Sequence, residues 1–85
     1  MIKEEDREIL VKFGAHLRSL RDAGKLTYRE LSLRSGVNTG EIVKYEKGES
    51  GPNLITLKKL AIGLKISPLK LLDFDFGIDF DAGLK

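Results

Sequence analysis

Apolar positions along the chain follow one period up to Leu72 and another beyond it. Ile9, Leu10, Phe13, Leu17 and Leu20 recur at three- and four-residue steps, which lines them along one stripe of a helix. The pattern predicts a first helix over residues 4–23. Glu4, Glu5, Asp6 and Glu8 occupy its opening turns, where negative charge complements the helix dipole. Gly24 is its expected stop. His16, the one histidine of the chain, reads as a helix-surface residue.

Residues 27–48 carry two short helical patterns around a glycine. Thr27 and Glu30 make an S/T-x-x-E capping box, in which each side chain satisfies a free backbone N–H at a helix start. The helix that follows runs through Leu31 and Leu33 to about Ser35. Gly36 suits the left-handed conformation that ends a helix, since it has no Cβ to clash. Either Asn38 or Thr39 can cap the next helix, which turns Ile42 and Tyr45 inward and stops at Gly48. Leu31, Val37, Ile42 and Tyr45 are the expected core of this unit. Two short helices joined by a tight turn make a helix-turn-helix.

The loop E-S-G-P-N after Gly48 separates that unit from a fourth helix over 54–64, which buries Leu57, Leu60, Ala61 and Leu64. Ser67 and Pro68 pair an N-cap with the residue best suited to the first helical position, and open a short fifth helix at 69–72. Beyond it, Leu72, Phe74, Phe76, Ile78, Phe80, Ala82 and Leu84 alternate with Asp73, Asp75, Gly77, Asp79, Asp81 and Gly83. Two-residue alternation is a strand signal. The expected fold is therefore all-α, with five helices and a helix-turn-helix in residues 1–72. An acidic-aromatic C-terminal tail, 73–85, follows, and its residues 73–82 are expected to form a β-strand. One strand cannot satisfy its own backbone groups. Pairing with the same strand of a second copy makes Phe74, Phe76, Ile78 and Phe80 the expected dimerisation residues. A tail that folds back on its own helices, or one that orders only on a partner, is the alternative.

Charge adds a partner to this picture. The net charge is only +2, but residues 1–72 hold 14 of the 15 Lys/Arg and 9 of the 13 Asp/Glu, whereas residues 73–85 hold four Asp and one Lys. A basic body with an acidic end suits a polyanionic partner; ordinary surface charge is the plainer alternative. With no cysteine there is no disulfide framework and no cysteine-based metal site, and His16 cannot build a metal site by itself. A single isolated histidine and no phosphate-cradling glycine loop leave no catalytic constellation. No cofactor, metal or catalytic residue is expected. No apolar run approaches the ~20 residues of a membrane span, and the N-terminus, charged on both signs, lacks the apolar core of a signal peptide. A soluble cytoplasmic protein without a membrane partner is the default expectation.

The segments L-R-S-L-R from Leu17, L-T-Y-R-E-L-S from Leu26, G-V-N from Gly36, I-V-K-Y-E-K-G from Ile42 and P-N-L-I-T-L-K-K-L-A from Pro52, in this order, resemble the Cro/phage-repressor (XRE-like) type of helix-turn-helix regulator. The resemblance covers roughly Phe13 to Leu72. It implies a recognition helix over 38–47, lying in the major groove with its N-terminal residues toward base edges. It also implies base-facing places for Thr39, Gly40 and Lys44, and phosphate contacts for Tyr28, Asn38, Lys47 and Asn53. Arg21 and Glu46 match a paired Arg and Glu that link the first helix to the recognition helix. Three positions depart from the family's common pattern. Tyr28 stands where glutamine is usual, Ser32 stands where alanine is common, and Gly40 offers no side chain for base readout.

Each of these assignments has a plainer structural reading. Thr39 either caps its helix or contacts a base. Glu41 either serves the helix dipole or accepts from a cytosine amino group. Lys44 is either a solvated lysine or a base contact, and Arg29 and Arg34 read as general surface charge, with phosphate contact as the alternative. The expected function is a double-stranded-DNA-binding transcriptional regulator acting as a homodimer, of the phage-repressor, restriction–modification-controller or antitoxin-like kind. The alternative is a protein-interaction module whose acidic-aromatic tail captures a partner such as RNA polymerase or a toxin.

Overall fold

Side-chain caps set the starts of every helix after the first in the computed structural model, which describes residues 3–79. The helices are α1 (Glu4–Ala23), α2 (Tyr28–Ser35), α3 (Thr39–Glu46), α4 (Leu54–Leu64) and α5 (Pro68–Leu71). Thr27 and Glu30 form both halves of the capping box on α2. Asn38, rather than Thr39, caps α3, its side chain accepting from the Gly40 N–H at 2.7 Å. Asn53 caps α4 and Ser67 caps α5 in the same way. Gly36 ends α2 at φ +77°, and Gly48 follows the last turn of α3 at φ +74°. At the end of α1 the left-handed residue is Lys25, at φ +56°, and not Gly24.

Leu17, Leu31, Ile42, Leu60 and Leu71 are fully buried, one from each helix. Around them Phe13, Leu26, Val37, Tyr45, Leu57 and Ala61 complete the core. α2 lies against α3 and α4, while α1 spans α3 and α5. Two of these contacts are close enough to require glycine. A Cβ on Gly63 would lie 2.8 Å from the Ser35 Cβ, where α4 meets α2. Gly14 performs the same service between α1 and the backbone of α3.

The expected β-strand of the tail is not formed. No strand occurs among the described residues, and residues 73–79 run as bend and irregular backbone. Of the expected dimerisation residues, Phe74 is half-buried against the core instead of facing a second copy. Its ring lies 5.8 Å from that of Phe13 and 5.6 Å from that of His16. Phe76 stacks back on Phe74 at 4.5 Å, and Ile78 is exposed. Phe80 and the end of the expected strand lie outside the described residues. Gly77 adopts φ +75° and its N–H donates to the Asp75 carboxylate at 2.7 Å, a local turn that breaks extension. Lys12 holds the same carboxylate at 3.3 Å. Alternation alone does not supply partners for a strand's backbone, whereas α1 offers Phe74 an apolar seat. His16 is thereby half-covered, its Nε2 2.7 Å from the Lys70 carbonyl oxygen. We expect Phe74→Ala to lower stability by about 1 kcal/mol, part of the 1.5–3 kcal/mol of a fully buried large side chain. Urea denaturation measures this, and an unchanged midpoint would mean that the tail does not rest on α1.

Candidate nucleic-acid interface

The two faces of α3 differ sharply. Ile42 and Tyr45 point into the core, at 0% and 6% exposure, and burial pushes the Tyr45 phenol up from its ordinary pKa. Thr39, Gly40, Glu41, Lys44 and Lys47 are all exposed. At 100° per residue, Gly40, Lys44 and Lys47 fall on one stripe of the helix, with Thr39 and Glu41 flanking its N-terminal end. Val43, to which sequence reasoning gave no role, falls on the same side and is half-exposed. Its signal was present as an apolar residue out of step with Ile42 and Tyr45. The stripe thus offers a hydroxyl, bare backbone, a methyl-rich surface and two ammonium groups, the mixture that base edges and phosphates can use.

A buried polar cluster holds this helix at the required angle. Arg21 of α1 makes a two-pronged contact with Glu46 of α3, with Nε to Oε2 at 2.7 Å and Nη2 to Oε1 at 3.1 Å. The two side chains are 9% and 3% exposed. Arg21 Nη1 also donates to the Leu26 carbonyl at 2.8 Å, in the connection that leads to α2. Hydrogen bonding to Glu46, above all, raises the Arg21 guanidinium above its already high pKa. The Tyr28 ring lies under that guanidinium at 4.1 Å, and the Tyr28 hydroxyl donates to Glu46 Oε1 at 3.0 Å. One cluster therefore joins α1, α2 and α3. Sequence reasoning named the Arg–Glu pair but not the third member, because nothing in the spacing between Tyr28 and Glu46 shows that they meet.

Asn38 and Asn53 are exposed helix caps. Each uses its side-chain oxygen on a backbone N–H, which leaves its NH₂ group free to donate outward. The residues singled out from the sequence thus occupy three places. Thr39, Gly40, Glu41, Lys44 and Lys47 share the outer side of α3, Asn38 and Asn53 mark two helix starts, and Tyr28 is half-buried beside the ion pair. Among the described residues no cluster of side chains could hold a metal ion. None of the described helices is long and apolar enough to cross a membrane.

Residues 17–71 match the family model described as Helix-turn-helix. Two proteins of Bacillus subtilis (strain 168) are 47% identical over 55 residues: the uncharacterized HTH-type transcriptional regulator RghRB and the HTH-type transcriptional repressor RghR. These matches take in 64% of this chain but only 40% and 41% of the two relatives. Among solved structures, the restriction-modification controller protein C.AhdI from Aeromonas hydrophila superposes with a TM-score of 0.70 at 39% identity, over 73% of this chain and 94% of that one. The clp gene regulator ClgR from C. glutamicum gives 0.69 at 30% identity, over 75% and 83%.

Proposed function

The chain belongs to the helix-turn-helix family, and from that premise we propose that it is a sequence-specific DNA-binding transcriptional regulator, and not an enzyme. The observation that carries the proposal is the exposed stripe of α3, presented by a helix whose other face is buried and whose last turn is tied to α1 and α2. A rigid helix with a polar, cationic outer stripe suits the major groove. Thr39, Lys44 and Glu41 face base edges, and Gly40 lets the backbone approach closely. Lys47, Asn38 and Asn53 serve phosphates, the two asparagines through their free NH₂ groups. The protein works in the cytoplasm as a homodimer, since two copies about a two-fold axis present two such helices to half-sites roughly 34 Å apart. Exposed Phe76 and Ile78 are apolar surface on which a second copy, RNA polymerase or a toxin could rest.

Selection of bound duplexes from a random pool tests this reading. Specific sites are typically about 10³-fold or more tighter than non-specific ones, and the symmetry of the recovered sequence reports dimerisation. Equal affinity for selected and scrambled duplexes would sink it. Within that assay, Lys44→Ala is expected to relax base preference, whereas Lys47→Ala weakens binding to all sequences alike. The difference follows because base contacts specify and phosphate contacts position. A uniform loss at Lys44 would move that residue to the phosphate class.

A further inference from the structure

We infer that Tyr28 is a positioning residue for the DNA-reading helix and not a phosphate contact; the inference rests on the DNA-binding role proposed above. The reason is the count of protons on its hydroxyl. A phenol has one O–H to donate, and in this structure it donates to Glu46 Oε1 at 3.0 Å. Phosphate oxygens only accept. Tyr28 can reach a phosphate with a hydrogen bond only by giving up Glu46, whose carboxyl is 3% exposed and would lose one of its three hydrogen bonds from Arg21 and Tyr28. A buried acceptor deprived of a donor is costly. The Tyr28 ring is also committed, since its centroid lies 4.1 Å from the guanidinium carbon of Arg21. An amide side chain at this position could not cover the guanidinium in that way. Both ends of Tyr28 therefore act on the pair that fixes α3, and they do so from the first residue of α2. Tyr28 thereby ties the start of α2 to the last turn of α3.

Tyr28→Phe separates the two roles, because it removes the hydroxyl and keeps the ring. Three quantities are read on the full chain: the urea midpoint without DNA, the affinity for the scrambled duplex, and the ratio of selected to scrambled affinity. The positioning role predicts a lower midpoint, an unchanged affinity for the scrambled duplex and a selected-to-scrambled ratio reduced about three- to tenfold, the ratio being the readout that a purely structural role would leave alone. A neutral phenol neutralises no phosphate and leaves the salt slope alone, so a phosphate contact predicts instead an equal loss of affinity for both duplexes at an unchanged ratio, and Lys47→Ala provides the reference for such a uniform loss. A weaker affinity for the scrambled duplex at an unchanged ratio, with or without a lower midpoint, overturns the inference, and so does a variant with all three quantities unchanged. A lower midpoint with an unchanged ratio also overturns it, because Tyr28 then supports the fold alone. Tyr28→Gln gives a second reading. It restores the amide usual in the family and is expected to bind less selectively than Tyr28→Phe, because the cover over Arg21 is gone; tighter selective binding would overturn the assignment. Wild-type protein that prefers no duplex fails the DNA-binding role itself, a result distinct from wild-type protein that binds selectively while Tyr28→Phe binds both duplexes more weakly by the same factor.

Discussion

Arg21→Ala is expected to destabilise the protein by roughly 3–5 kcal/mol, the cost of breaking a buried ion pair from one side. The substitution removes both bonds to Glu46, the bond to the Leu26 carbonyl and the cation over Tyr28. It leaves the Glu46 carboxylate, 3% exposed, with the Tyr28 hydroxyl. Small domains have only about 5–15 kcal/mol of stability in total, so the loss is a large share of it. Urea denaturation of wild type and variant measures the effect, and an unchanged midpoint and slope would show that the pair contributes nothing. A companion variant separates stability from geometry. Replacing both partners by apolar residues of similar volume is often neutral or stabilising, so Arg21→Met with Glu46→Leu should regain most of the lost stability. It should not regain selective DNA binding, because the two-pronged bond that orients α3 is still missing.

The helices were legible in the sequence because each one announces itself locally. The capping box at Thr27, the glycine at Gly36 and the Ser67–Pro68 start are short-range signals, and the structure uses all of them. What was not legible depends on residues far apart in the chain. Tyr28 meets Glu46 across the motif, and the single chain gives no pattern that links the two positions. The tail shows the same limit more plainly. Its alternation from Leu72 is genuine, but period describes only a segment considered alone. Whether the segment becomes a strand depends on an available edge, and α1 provides an apolar seat for Phe74 instead. Likewise, Gly24 caps the end of α1 where the sequence puts its stop, but the left-handed conformation falls on the next residue, Lys25, to which no local signal pointed. A bond from the Leu26 N–H to the Arg21 carbonyl closes that end, at a place where a non-glycine residue bears the strain.

Gly14→Ala is expected to produce the other large loss, and it tests how tightly α3 is held from behind. Gly14 sits in α1, and a methyl group there would fall on the carbonyl oxygen of Tyr45 and 2.7 Å from that of Glu46. Both obstacles are backbone atoms of α3, so no side-chain rotation relieves them. Helix propensity alone favours alanine over glycine by about 1 kcal/mol, whereas forcing a group into a packed contact costs about 1–3 kcal/mol and occasionally more. With a backbone obstacle the upper end applies, and the net loss is about 2 kcal/mol, or a fall in Tm of roughly 8–16 °C for a domain of this size. The geometry adds a second expectation. The chain can admit the methyl only by moving α3 away from α1, and that displacement pulls on the Arg21–Glu46 bonds at the end of the same helix. Selective DNA binding should therefore fall at temperatures where the variant is still folded. Gly40→Ala is the control, since its Cβ would meet only the Asn38 side-chain oxygen at 3.1 Å, and it should leave Tm within a few degrees of wild type. A Gly14→Ala protein as stable as wild type would mean that α1 and α3 are not in contact as described, and would remove the support proposed for the DNA-reading helix.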